Sequence, residues 1–154
     1  MEIFVDADAC PVKEIIYYEA RDRGIHIVMI VSMAHNIESL NGMDVIRVDS
    51  AFQSVDIAIV NKANEGDVVV TSDYGLAALV LGKGAIPISP SGRLFSDHNI
   101  DILLEKRHAA HKQRNRGRRV KGPKPRTKED DYRFRKALVR LIEIGRGGAC
   151  SLPI

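Results

Sequence analysis

Ile25-His26-Ile27-Val28-Met29-Ile30-Val31 narrows the possible folds more than any other segment. It is a nearly continuous apolar run of strand length, the pattern of a strand covered on both faces. Similar runs stand at residues 2–6, at Val45–Val48, at Val68–Thr71 and at Ala85–Ser89, where Pro87 favours a sheet edge. Between them the apolar period changes to that of a helix. Pro11 suits a first helical turn, Val12, Ile15, Ile16 and Ala20 share a face, and Gly24 stops the helix. Val55, Ala58, Ile59 and Ala63 mark a second helix closed by Gly66, and Leu76, Leu79 and Val80 a third ending at Gly82 or Gly84. Strands alternating with helices of these lengths predict an α/β fold: an open, mostly parallel sheet flanked by helices.

Two of the predicted strands run into acids. Ile3-Phe4-Val5 leads to Asp6-Ala7-Asp8, and Val68–Thr71 leads to Ser72-Asp73. In an open parallel sheet the carboxyl ends of the strands share the edge where ligands bind. Carboxylates gathered there repel one another, and a divalent cation relieves the repulsion. Asp6, Asp8 and Asp73 are therefore candidate metal ligands, although Asp8 and Asp73 also stand where a helix cap would. Asp56, early in its helix, can complete the cluster or simply favour the helix dipole. Asp67 lies at the far end of its strand and reads as a turn acid. Ser72, His35 and Asn36 fall on the active edge by topology, with Ser72 and Asn36 as possible substrate contacts. Cys10, without a neighbouring histidine in sequence, reads as a buried small residue rather than a nucleophile.

Charge is unevenly spread. Between Lys106 and Arg126 stand ten of the chain's 23 basic residues and no acid, which leaves the remainder at −7. This basic ribbon, with Arg114, Arg116, Arg118, Arg119 and Lys121, is expected to meet a polyanion through its backbone phosphates. It contains no aromatic residue for base stacking. Residues 1–105 read as the core and 106–126 as the ribbon, a linker following a helix that Ser96 caps and that runs through Leu103-Leu104. Residues 127–145 read as a helix opened by Thr127 and Asp130, whose stripe Phe134, Ala137, Leu138, Leu141 and Ile142 docks on the core, and 146–154 as a fraying tail. Cys10 and Cys150 give neither a disulfide framework nor a zinc spacing. With no signal-peptide pattern and no apolar run long enough for a bilayer, the expected location is the cytoplasm.

The segments Asp6-Ala7-Asp8-Ala9-Cys10-Pro11-Val12-Lys13, Ser54-Val55-Asp56, Gly66–Ala77, Gly92-Arg93-Leu94-Phe95 and Thr127–Asp131 resemble the YaiI/YqxD family of bacterial proteins. That family is in turn similar to the PIN-like superfamily, mostly metal-dependent ribonucleases. The resemblance implies a PIN-like core in which Asp6, Asp56 and Asp73 match the acids that hold Mg²⁺ or Mn²⁺ and activate a water against an RNA phosphodiester. A further acid is usual beside the third, where Tyr74 and Gly75 stand here; the resemblance then implies either that Asp8 supplies the missing charge or that the metal is held weakly. Lys13, Arg93 and the ribbon would hold the nucleic-acid backbone.

Two other readings compete. A chain lacking one acid can bind RNA and never cut it. Asp6-Ala7-Asp8 also looks like the first motif of haloacid dehalogenase-like phosphatases, but that family wants an acidic pair after its last core strand, and here Gly66-Asp67 precedes a strand.

Overall fold

The computed structural model describes residues 1–49, 54–119, 121–122 and 124–147. The elements run β1 (Ile3–Asp6), α1 (Lys13–Arg21), β2 (Ile27–Ser32), β3 (Met43–Val48), α2 (Val55–Lys62), β4 (Val68–Val70), α3 (Tyr74–Leu81), β5 (Ile86–Ile88), α4 (Asp97–Asn115) and α5 (Lys128–Gly147). The five strands form one sheet in the order β3-β2-β1-β4-β5. Every pairing is parallel, with Ile3 beside both Ile27 and Val68. Pro87 lies on the edge strand β5, where its missing N–H leaves no central ladder broken. Among the described residues no helix is long and apolar enough to cross a membrane.

Alternation along the strands divides the core in two. Ile3, Val5, Ile27, Met29, Val68 and Val70 face α1 and α5, whereas Phe4, Val28, Ile30 and Val69 face α2 and α3. The run Ile27–Val31 is buried throughout, as a strand covered on both faces requires. A third, smaller cluster joins Ala77 of α3 to Phe95 and Ile100, so α4 lies against the outside of α3. That position explains Leu79, expected on the buried face but 58% exposed. Sandwiched between the sheet and α4, α3 buries Leu76, Ala77 and Val80 instead.

Both C-terminal helices are longer than the sequence periodicity suggests. α4 continues past Leu104 through Asn115, so the first half of the basic ribbon is helix. The stretch has no Gly or Pro before Gly117, whose φ of 73° ends it, and Lys112 and Arg114 in its last turn suit the helix dipole. α5 runs through Gly145 to Gly147, its last turn tied down where Arg146 donates to the carbonyl of Arg23 at 2.8 Å. The remainder of the expected tail, with Cys150, and Pro123 in the ribbon lie outside the described residues.

At its start, α5 has the expected reciprocal cap. Thr127 N–H donates to Asp130 Oδ2 at 2.9 Å, and Asp130 N–H donates to Thr127 Oγ1 at 3.3 Å. Phe134, Leu138, Leu141 and Ile142 are fully buried under the sheet, each removal from water contributing about 1.5–3 kcal/mol before chain entropy is counted. Arg126 fixes the approach by donating to the Pro90 carbonyl at 2.7 Å and to Asp131 at 2.7 Å.

The turn after β5 meets α5 so closely that only glycine fits there. Gly92 has φ 83°, and a Cβ on it would stand 2.8 Å from the backbone carbonyl of Arg133. Gly92→Ala should therefore lower stability by roughly 1–3 kcal/mol, read as a reduced urea midpoint with unchanged slope. An unchanged midpoint would contradict this docking of α5.

Candidate functional site

In the strand order β3-β2-β1-β4-β5 the chain leaves β1 toward one side of the sheet and returns to β4 on the other, so the crevice between their carboxyl ends is the topological switch point. Asp6 is the last residue of β1, and Thr71 follows directly on β4. Buried Thr71 links the two strand ends. Its hydroxyl donates to Asp6 Oδ2 at 3.1 Å and accepts the N–H of Asp73 at 3.0 Å. The hydroxyl thereby fixes the two principal acids relative to each other.

Asp73 caps α3 and also faces the crevice. Its Oδ1 accepts from Leu76 N–H at 3.0 Å, while Oδ2 accepts from Arg107 of α4 at 3.3 Å. Gly75 makes room for this arrangement, since a Cβ there would stand 3.1 Å from Asp73 Oδ1. The backbone N–H groups of Leu76 and Gly75 close on the carboxylate there. Asp56 sits in the first turn of α2, behind the Ser54 cap whose oxygen accepts from Ile57 N–H at 3.2 Å.

The four acids share one electrostatic field. Burial pushes the Asp6 carboxyl above its ordinary range, the Thr71 hydrogen bond offsets part of this, and the charges of Asp56, Asp8 and Asp73 push it further up. Asp56 is raised by burial and then by Asp73, with Arg107 acting against them. Asp73 goes the other way. Burial is its largest single influence and is outweighed by the N–H groups of Leu76 and Gly75 and by the Arg107 guanidinium.

Sharing a field does not amount to sharing a cation. Among the described residues no three His, Cys, Asp or Glu side chains converge closely enough to hold a metal ion. The side chains' partners explain this. Asp8 is drawn away to the β2 loop, accepting from Ser32 N–H at 2.8 Å and pairing with His35 Nδ1 at 3.2 Å. It therefore does not cap α1, whose N-cap is Val12. Asp73 is held by Arg107. As arranged, the acids present the hard oxygen donors that Mg²⁺ or Mn²⁺ prefers, but not the geometry of a closed site.

The remaining candidates divide. Lys13 opens α1 at the same edge, close enough to Asp6's neighbour Cys10 to influence it. Ser72 is exposed beside Asp73. Asn36 is engaged, its Oδ1 accepting from Arg47 at 3.2 Å. Arg93 is exposed and shares a groove with Tyr74, Lys106 and Arg107. Arg114 lies on α4 seven residues from Arg107, hence on the same face. Arg116, Arg118, Arg119 and Lys121 are exposed beyond the helix end. Cys10 is buried, and burial raises its thiol pKa, which disfavours a nucleophilic thiolate. Asp67 is a turn acid: it accepts from Glu2 N–H at 2.8 Å and Asn64 N–H at 2.9 Å at the opposite sheet edge. No acid follows β5 before Asp97, so the pair that a dehalogenase-like phosphatase would need there is missing.

The family described as "Uncharacterized BCR, YaiI/YqxD family" matches residues 4–144. The chain belongs to the YaiI/YqxD family. It is 47% identical over 146 residues to a UPF0178 protein of Clostridium kluyveri, covering 95% of each chain. It is 46% identical along the full length of a UPF0178 protein of Ruminiclostridium cellulolyticum. With a UPF0178 protein of Bacillus cereus it shares 42% over 146 residues, 94% of this chain and 100% of that one. No solved structure matches it significantly. The YaiI/YqxD match takes in β1 through most of α5, so the acid edge and the basic helix α4 both belong to the family region.

Opposite pKa shifts within the YaiI/YqxD acid edge give opposite stability effects. A raised folded pKa makes ionised Asp6 a penalty, fully present above that pKa and gone below the ordinary 3.8. A depressed folded pKa makes ionised Asp73 a stabilising group, its contribution present above 3.8 and lost as pH falls through the folded value. In EDTA at neutral pH, Asp6→Asn should melt above wild type and Asp73→Asn below it, since Asn keeps the cap but loses the charge. The Asp6→Asn gain should fade as pH falls toward 3.8, while the Asp73→Asn deficit persists near that pH and fades only below it. Identical melting of the three proteins would contradict the shared field.

Proposed function

We propose that the protein hydrolyses RNA phosphodiester bonds at the acid edge, in the manner of the PIN-like nucleases its sequence resembles. One observation carries the reading. Asp6, Asp56 and Asp73 meet in one field at the sheet's switch point, and the basic helix α4 reaches that same point with Arg107. An anionic substrate needs both halves: cations to hold the phosphates and carboxylates beside the bond that breaks.

Arg107, His111 and Arg114, at positions i, i+4 and i+7 of α4, form a track leading outward from Asp73. Their exposed side chains suit a phosphate backbone without reading its sequence. Arg107 contributes at the inner end. Its pair with Asp73 is about half exposed on the arginine side and one-third on the aspartate side, so it contributes at most about 1 kcal/mol. Such a pair exchanges readily, and a phosphate can take Arg107 from Asp73. The same exchange is what Asp6, Asp56 and Asp73 would require to hold Mg²⁺ or Mn²⁺. Held by those three carboxylates, Mg²⁺ or Mn²⁺ would supply a water of lowered pKa and neutralise charge on the phosphate. Thr71 keeps Asp6 oriented meanwhile, and the N–H groups of Leu76 and Gly75 keep Asp73 ionised.

A second reading is favoured by the same arginine. With Asp73 neutralised by Arg107 and no three acids converging among the described residues, the chain suits a protein that binds RNA along α4 without cutting it.

The two separate in one assay, cleavage of fluorescent single-stranded RNAs with Mn²⁺, Mg²⁺ or EDTA. The hydrolase reading expects cutting only with metal, falling about 100-fold or more in Asp73→Asn. RNA bound equally in all three conditions and never cut would leave the binding protein.

A further inference from the structure

Between the start of α3 and the inner face of α4 lies an open groove of ≈ 700 Å³, bordered by Arg93 from the turn after β5. Its α4 wall is the stripe Asn99, Ile102, Leu103, Lys106 and Arg107. The acids of that helix, Asp97, Asp101 and Glu105, fall on other faces by helical spacing. Tyr74, half-buried at the first position of α3, closes the opposite side. Its ring is held edge-on against Phe95, with centroids 5.6 Å apart and planes at 62°. Ile102 is 53% exposed and offers its aliphatic carbon to the groove. Arg93 and Lys106 are exposed, and among the described residues neither forms an ion pair. Arg107 stands between this groove and Asp73.

We propose that this groove is a nucleotide subsite for single-stranded nucleic acid, in which Arg93, Lys106 and Arg107 hold phosphate while Tyr74 and Ile102 receive the base. The combination decides the ligand class. Three cations around an open groove call for an anion. A fixed aromatic ring beside exposed aliphatic carbon calls for a flat apolar face, and a nucleotide has both. An acidic peptide would satisfy the cations and leave the ring and Ile102 uncovered. Duplex is disfavoured because its bases present edges rather than faces. The inference deepens the proposed function by giving the acid edge an adjoining place for its substrate, and rests on that reading only in calling the ligand a substrate.

The test is fluorescence anisotropy of labelled tetrauridylate in EDTA. Arg93→Ala with Lys106→Ala should weaken binding about tenfold or more, and Tyr74→Ala by about the same, with Tyr74→Phe close to wild type. The two cations are exposed, so their truncation leaves the fold intact, which matching thermal melts will check. Replacing Lys136 and Arg140 together, exposed on α5 across the sheet from the groove, should leave tetramer binding unchanged. Tripolyphosphate and hexaglutamate should compete at least about tenfold more weakly than unlabelled tetramer. Tetramer binding unaffected by the Arg93/Lys106 double variant would overturn the proposal, and so would equal competition by either base-free anion. EDTA separates binding from cleavage, so a protein that binds the tetramer here and still fails to cut RNA when Mn²⁺ or Mg²⁺ is supplied would overturn the hydrolase reading and keep this one.

Discussion

Like charge held against its own repulsion at the end of β1 is the constraint on which the rest of the site depends. The sheet puts Asp6 there: Ile3, Phe4 and Val5 are buried among neighbouring strands, and the register with β4 brings Thr71 alongside. Once β1 and β4 are adjacent, Asp6 and Asp73 must face the same crevice, and α2 adds Asp56. Burial and mutual repulsion both push Asp6 toward its neutral form. A fold selected for stability alone gains nothing from this arrangement, since an apolar or amide side chain at Asp6 would remove the penalty. Strain of this kind is characteristic of places where a ligand completes the charge balance.

Arg107 offsets the charge of Asp56 and Asp73 from outside the sheet. It is able to do so because α4 packs on α3 through Ala77, Phe95 and Ile100, which sets the helix beside the Asp73 cap. The docking of α5 on the other face has no direct part in the chemistry. It covers Ile3, Val5 and Val70 and so makes β1 and β4 interior strands whose ends are fixed. Packing on one face of the sheet thus holds rigid the edge that α4 approaches from the other.

Much of this was legible in the residues. The fully apolar β2 predicted a sheet covered on both faces, and the acid-terminated runs predicted that Asp6 and Asp73 would share the carboxyl edge of the sheet. Asp67 read correctly as a turn acid because it begins its strand rather than ending it. What escaped had physical causes. The apolar period of α4 ends at Leu104, while ordinary helix propensity carries the helix on through Asn115. Periodicity therefore does not separate Arg107 from the other ribbon cations, and only the helix aims it at Asp73. The Thr71 bridge was hidden because a threonine at a strand end is common and its partners are 65 and 2 residues away. Asp8 was a fair candidate by position, and only the fold shows it turned toward Ser32 and His35.

The most direct test of the account is calorimetric titration of the metal-free protein with Mn²⁺, comparing wild type with Asp6→Asn and Arg107→Ala. If the acid edge is an unbalanced negative site that Arg107 partly neutralises, wild type binds one equivalent, Asp6→Asn loses that binding, and Arg107→Ala binds more tightly than wild type. Absence of binding in both wild type and Arg107→Ala, or binding indifferent to Asp6, would contradict it.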